Sequence, residues 1–95
     1  MYVPHELRAL FWDTDLAVFD PTAYPKYTIF RVLEYGDSDA VAWLEQTFTV
    51  DQIREVIRSE RRMTPKSANF WALVYGIRRE DVAALRGESP DLRVA

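Results

Sequence analysis

The chain predicts an all-α fold: a compact bundle of five or six short helices, helix-turn-helix-like in its second half. Three observations carry that prediction. Apolar residues recur at three- and four-residue intervals through most of the chain. Residues able to cap helices stand just before those runs. No alternating apolar pattern is long enough for a strand. With 95 residues, 48% of them hydrophobic and 14% aromatic, one core can be built, and the composition is not that of a disordered chain. The expected division is one helical domain over residues 1–87 and a frayed polar tail over 88–95.

The opening helix is placed over residues 4–10, with Pro4 at its first position and Leu7 and Leu10 on one side. Phe11 and Trp12 follow, and leaving both rings in water would expose a costly patch, so at least one is expected inside. Residues 16–24 lie between helix breakers and read as an ordered loop pinned by Leu16, Val18 and Phe19. Residues 25–35 form the second helix, with Ile29, Val32 and Leu33 as its inner stripe and Tyr27 and Phe30 alongside. Its β-branched residues weaken intrinsic propensity, so packing must hold it.

Gly36 breaks that helix, and Asp37 or Ser38 caps a third one ending at Gln46, with Ala40, Trp43, Leu44 and Phe48 on one face. Thr49 and Gln52 have the spacing of a capping box and open a fourth helix reaching about Arg61. Its inward residues are Val50, Ile53, Val56 and Ile57. Thr64 caps the fifth helix and Pro65 takes its first position. Phe70, Leu73, Val74 and Ile77 are read as its inner stripe, with Trp71 and Tyr75 on a neighbouring one and Gly76 as a stop. A brief terminal helix over residues 79–86 carries Val82, Ala83 and Leu85.

Charge is distributed unevenly. Residues 1–47 hold three basic and eight acidic side chains, and residues 48–95 hold nine and seven, which together give the net charge of −3. Arg54, Arg58, Arg61, Arg62 and Lys66 concentrate the positive charge from the fourth helix to the start of the fifth. With no cysteine, disulfides, thiolate metal sites and a cysteine nucleophile are excluded. No apolar run reaches membrane-spanning length, and the N-terminus lacks the pattern of a signal peptide, so a cytoplasmic protein is expected.

Catalytic chemistry is poorly supplied. The single histidine, His5, is distant in sequence from any serine that would need a base, and reads as a surface residue. Asp13 and Asp15 form a short DxD element, but two carboxylates make an incomplete cation site, and capping or ion pairing is the simpler use. No glycine-rich phosphate loop is present. The chain is therefore read as a non-enzyme without cofactor or metal. A partly buried Asp13–Arg31 ion pair is one structural expectation.

Two binding surfaces remain. One is acidic, around Asp13, Asp15 and Asp20. The other is basic, formed by Arg54, Arg58, Arg61 and Arg62 together with Lys66, Ser67 and Asn69 at the start of the fifth helix. In a helix-turn-helix, those last three would enter the major groove while the arginines meet phosphates. The pI of about 5.1 argues against nucleic acid, and packed helices with a solvated arginine face are the simpler account.

The strings Leu10-Phe11-Trp12-Asp13, then residues 31–37 (Arg-Val-Leu-Glu-Tyr-Gly-Asp), then Ala42-Trp43-Leu44 and Asn69-Phe70-Trp71 resemble an uncharacterised family of small bacterial proteins described by an FWD motif. The resemblance covers residues 7–77. Members are often encoded beside nucleotidyltransferase-like proteins of the abortive-infection toxin type, so the resemblance implies an antitoxin-like or accessory partner role. It carries over no catalytic residue. Phe11, Trp12, Asp13, Arg31, Gly36, Trp43, Phe70 and Trp71 suit an architectural role equally well. The functional expectation is a protein-binding module that holds a nucleotidyltransferase-like toxin inactive by covering its active site with one charged surface. The alternative is a helix-turn-helix DNA-binding regulator.

Overall fold

The computed structural model describes residues 5–11 and 20–86. Trp12, Asp13, Asp15, the loop anchors Leu16, Val18 and Phe19, the side chain of His5, and the tail over 88–95 lie outside the described residues, and the Asp13–Arg31 pair with them. Among the described residues the fold is all-helical and has no strand. It contains four α-helices: α1 (Pro25–Tyr35), α2 (Ser38–Thr47), α3 (Val50–Ser59) and α4 (Pro65–Val74). Four short 3-10 helices complete it.

The expected five or six helices are thereby corrected to four. The opening segment is a 3-10 helix, His5–Phe11, which buries Leu7 and Phe11 against α1. The terminal segment splits into two 3-10 turns, Arg79–Asp81 and Ala83–Leu85, because Val82 between them takes an extended conformation. Val82 is fully buried, so seating it in the core outweighs continuing the helix.

Local signals set the helix starts. The Asp37 carboxylate accepts from the Ala40 amide at 3.0 Å and caps α2. Thr49 and Gln52 form the reciprocal capping box of α3: the Gln52 amide donates to the Thr49 hydroxyl at 3.1 Å, and the Thr49 amide donates to the Gln52 side chain at 2.9 Å. The α4 helix begins with the Ser67 amide donating to the Thr64 hydroxyl. It ends in a Schellman turn, with Ile77 N–H donating to the Ala72 carbonyl at 2.8 Å and Gly76 N–H to that of Leu73 at 3.4 Å. Gly76 has φ +68°, the left-handed conformation that glycine adopts without Cβ strain. Ile77 is therefore buried by the turn, not by helical phase.

The α1 helix is the central element, in contact with all three other α-helices. Ile29, Val32 and Leu33 are buried as expected. Thr28 is buried as well, because its hydroxyl donates to the Pro21 carbonyl at 3.0 Å and ties α1 to the 3-10 turn Pro21–Ala23. Arg31 is buried with its guanidinium 5.1 Å from the Tyr27 ring and 5.9 Å from that of Tyr35, one turn away on either side. At the α1–α2 corner, a Cβ on Gly36 would stand 2.7 Å from the Val32 carbonyl oxygen and 2.8 Å from the Ala40 Cβ. Only a residue without a side chain lets the helices meet there.

On α3, Ile53, Val56 and Ile57 are buried as the periodicity predicts, whereas Val50 at the first position is exposed. The larger correction concerns α4. Its expected inner residues Phe70, Leu73 and Val74 are 54%, 80% and 54% exposed. The side facing the core is instead Ala68 and Ala72, both almost fully buried, flanked by half-buried Trp71 and Tyr75. Two small residues one turn apart let the α4 backbone approach its neighbours closely, which large side chains would prevent.

Candidate partner-binding face

Three attachments fix the orientation of α4. At its start, Glu34 on α1 accepts from the Thr64 amide at 3.1 Å and the Thr64 hydroxyl at 2.9 Å. In the middle, Trp71 Nε1 donates to the Leu33 carbonyl at 2.9 Å, satisfying one of the last carbonyls of α1. At its end, Arg54 on α3 donates to the Tyr75 carbonyl, and the Tyr75 hydroxyl donates to Glu45 on α2 at 2.6 Å. Burial and the neighbouring Glu45 push the Tyr75 hydroxyl pKa well up, so it stays a donor at any physiological pH.

With its inner side so occupied, α4 presents one continuous outer strip: Lys66, Asn69, Phe70, Leu73 and Val74, all exposed. The spacing i, i+3, i+4, i+7, i+8 places them on one helical face. The strip is polar at the N-terminal end and apolar beyond it. From the 3-10 turn Arg79–Asp81, the Arg79 guanidinium reaches back and donates to the Asn69 side-chain oxygen. The Phe70 ring leans edge-on against the Trp71 ring, with centroids 4.8 Å apart, so the outer strip rests on a half-buried aromatic.

The predicted basic residues are engaged in different ways. Arg54 is committed to the α4 C-terminus. Arg58 sits 3.8 Å from Glu55 in an exposed pair. Arg62 grips buried Glu60 in a fork, Nε to Oε2 at 2.8 Å and Nη2 to Oε1 at 3.0 Å, with its guanidinium 4.6 Å from the Phe30 ring. These bonds hold the Glu60 carboxyl below its usual range against the upward push of burial. Arg61 is exposed and Ser67 half-buried. Only Lys66 and Asn69 of the predicted set share the outer strip of α4.

Of the acidic set, Asp13 and Asp15 lie outside the described residues. Asp20 caps the 3-10 turn after it, accepting from the Thr22 amide at 3.0 Å and hydroxyl at 2.7 Å, and those bonds lower its pKa. Among the described residues no three His, Asp or Glu side chains are gathered as metal ligands, and no helix is long and apolar enough to cross a membrane. An open groove of about 550 Å³ runs between α1 and α3 over Ile29 and Val56, with Lys26 on one rim and Asp51 and Glu55 on the other.

The apolar strip departs from the sequence expectation, in which Phe70, Leu73 and Val74 belong to the core. The available signal was the pair Ala68 and Ala72, small residues one turn apart on a helix otherwise crowded with large ones. No curated protein and no solved structure matches the chain. A family model does match, over residues 6–57, from the first 3-10 helix through most of α3; the chain belongs to a family of unknown function (DUF6922).

Proposed function

We propose that this chain is a non-enzymatic protein-binding module, an antitoxin-like partner that binds a nucleotidyltransferase-like toxin and holds it inactive. The observation that carries the binding reading is the outer strip of α4. Phe70, Leu73 and Val74 stand in solvent on a helix anchored at both ends and in the middle. Large apolar side chains exposed together on a rigid element are the usual core of a protein interface. The toxin as partner rests on the resemblance to the FWD-motif family, whose members are often encoded beside such proteins. Inhibition then works by occlusion, the strip and its basic end covering the toxin's active site.

The second reading, a helix-turn-helix DNA-binding regulator, is favoured by one arrangement. The α3 and α4 helices pack together across residues 60–64, and Lys66 and Asn69 face outward at the start of α4. Three features weigh against it. Arg79 already engages the Asn69 oxygen that adenine would need. Arg54 and Arg62 serve the fold rather than phosphates. The groove-facing strip continues as three large apolar residues.

Co-expression with the products of the neighbouring genes tests the proposal. A stoichiometric complex that suppresses the toxin, without a DNA mobility shift, supports it. A sequence-specific shift that weakens steeply with salt, and no protein complex, overturns it in favour of the DNA reading.

A further inference from the structure

We infer that the outer strip of α4 receives an acidic amphipathic helix of the partner, its apolar side chains over Phe70, Leu73 and Val74 and its carboxylates over Lys66 and Arg79. The inference rests on the binding-module reading but not on the partner being a toxin.

Charge argues for the acidic chemistry. Residues 65–74 carry a single charged side chain, Lys66, and no carboxylate. Arg79 adds a second cation to the same end through its bond to Asn69. Among the described residues no carboxylate pairs with either Lys66 or Arg79. The strip is thus a cationic end followed by an apolar ridge, and from Lys66 to Val74 it runs about 12 Å, the length of two helical turns. A helix with carboxylates at one end of its apolar face matches it in both charge and length.

A second copy of the chain matches it less well. Two α4 helices packed antiparallel would set Lys66 of each against the Val74 end of the other, where α4 offers no carboxylate. Packed parallel, they would set Lys66 against Lys66. The three apolar side chains expose roughly 300 Å², typical of a functional patch and short of the approximately 800 Å² per partner that a stable dimer buries. The strip is the anchor of a larger heteromeric interface.

The test places the photo-crosslinking residue benzoylphenylalanine at position 73 of the full chain, in cells of the organism that encodes it. After irradiation, the adduct is mapped by mass spectrometry. The expected result is one main adduct to a segment of another protein with helical apolar spacing and carboxylates at one end. Its yield is expected to fall about ten-fold when Lys66→Glu and Arg79→Glu are combined, and to persist with Lys66→Arg. Because both residues are exposed, the charge-reversed chain is expected to keep its circular dichroism spectrum, and Lys66→Gln with Arg79→Gln provides a milder variant giving an intermediate yield. An adduct to a second copy, an adduct to a neutral or basic segment, a yield indifferent to charge reversal, or no adduct overturns the inference. An acidic segment from a protein unlike a nucleotidyltransferase supports this inference and removes the toxin from the proposed function.

Discussion

The α3 and α4 helices are successive, equal in length and both well capped, yet their buried sides were set by different physics. In α3, charged residues alternate with Ile53, Val56 and Ile57, so only one orientation keeps the charges in water. In α4, apolar residues surround the axis, and hydrophobic burial alone does not choose a side. The choice falls to close packing at Ala68 and Ala72 and to three polar attachments, from Glu34, Leu33 and Glu45. Where periodicity is degenerate, small residues and hydrogen bonds decide orientation, and the large residues left outside stand in solvent.

The comparison breaks most readily by truncating one large aliphatic residue on each helix. Ile57→Ala removes a fully buried side chain and is expected to cost about 3 kcal/mol in chemical denaturation. Leu73→Ala is expected to change stability by less than about 0.5 kcal/mol. Equal losses at the two positions would mean that α4 is turned the other way.

Gly36→Ala tests the framework on which both helices are mounted. Its Cβ meets backbone and a packed methyl group, not a flexible side chain, so a loss of about 2 kcal/mol is expected in the same assay. A neutral effect would show that the α1–α2 corner can open freely.

Trp71→Phe keeps an aromatic ring but removes the donor to the Leu33 carbonyl. The expected cost is about 1 kcal/mol, and an unchanged denaturation midpoint would remove the central attachment of α4 from the account.

Below these in size is a dependence on pH at the α3–α4 connection. Arg62 lowers the folded-state pKa of Glu60, so the pair contributes stability above the unfolded carboxylate pKa and loses it as pH falls through the folded value. Glu60→Gln is therefore expected to flatten the acid side of the stability profile. A profile identical to that of the parent chain would show that the fork is not maintained in solution.

Much of the fold was legible because caps are local. Thr49 with Gln52, Asp37, Thr64 and Gly76 each act within four residues, and each does what its position in the chain suggests. The stripe of α1 was legible because Ile29, Val32 and Leu33 recur at helical spacing, whereas the burial of Thr28 and Arg31 on its other sides was not. The attachments of α4 join residues 30 to 38 positions apart, and no local pattern encodes them. The candidate site inherits that limit. Lys66 and Asn69 were visible as exposed helix-start residues, whereas Phe70, Leu73 and Val74 are found only once the buried side of α4 is known.

The central claim is that the outer strip of α4 binds the partner, and one substitution meets it directly. Leu73→Asp is compared with the parent chain in co-expression with the products of the neighbouring genes, with thermal denaturation of each chain alone as the control. The account predicts an unchanged melting temperature and loss of the complex. A complex that survives Leu73→Asp intact, on a chain that remains folded, would contradict it.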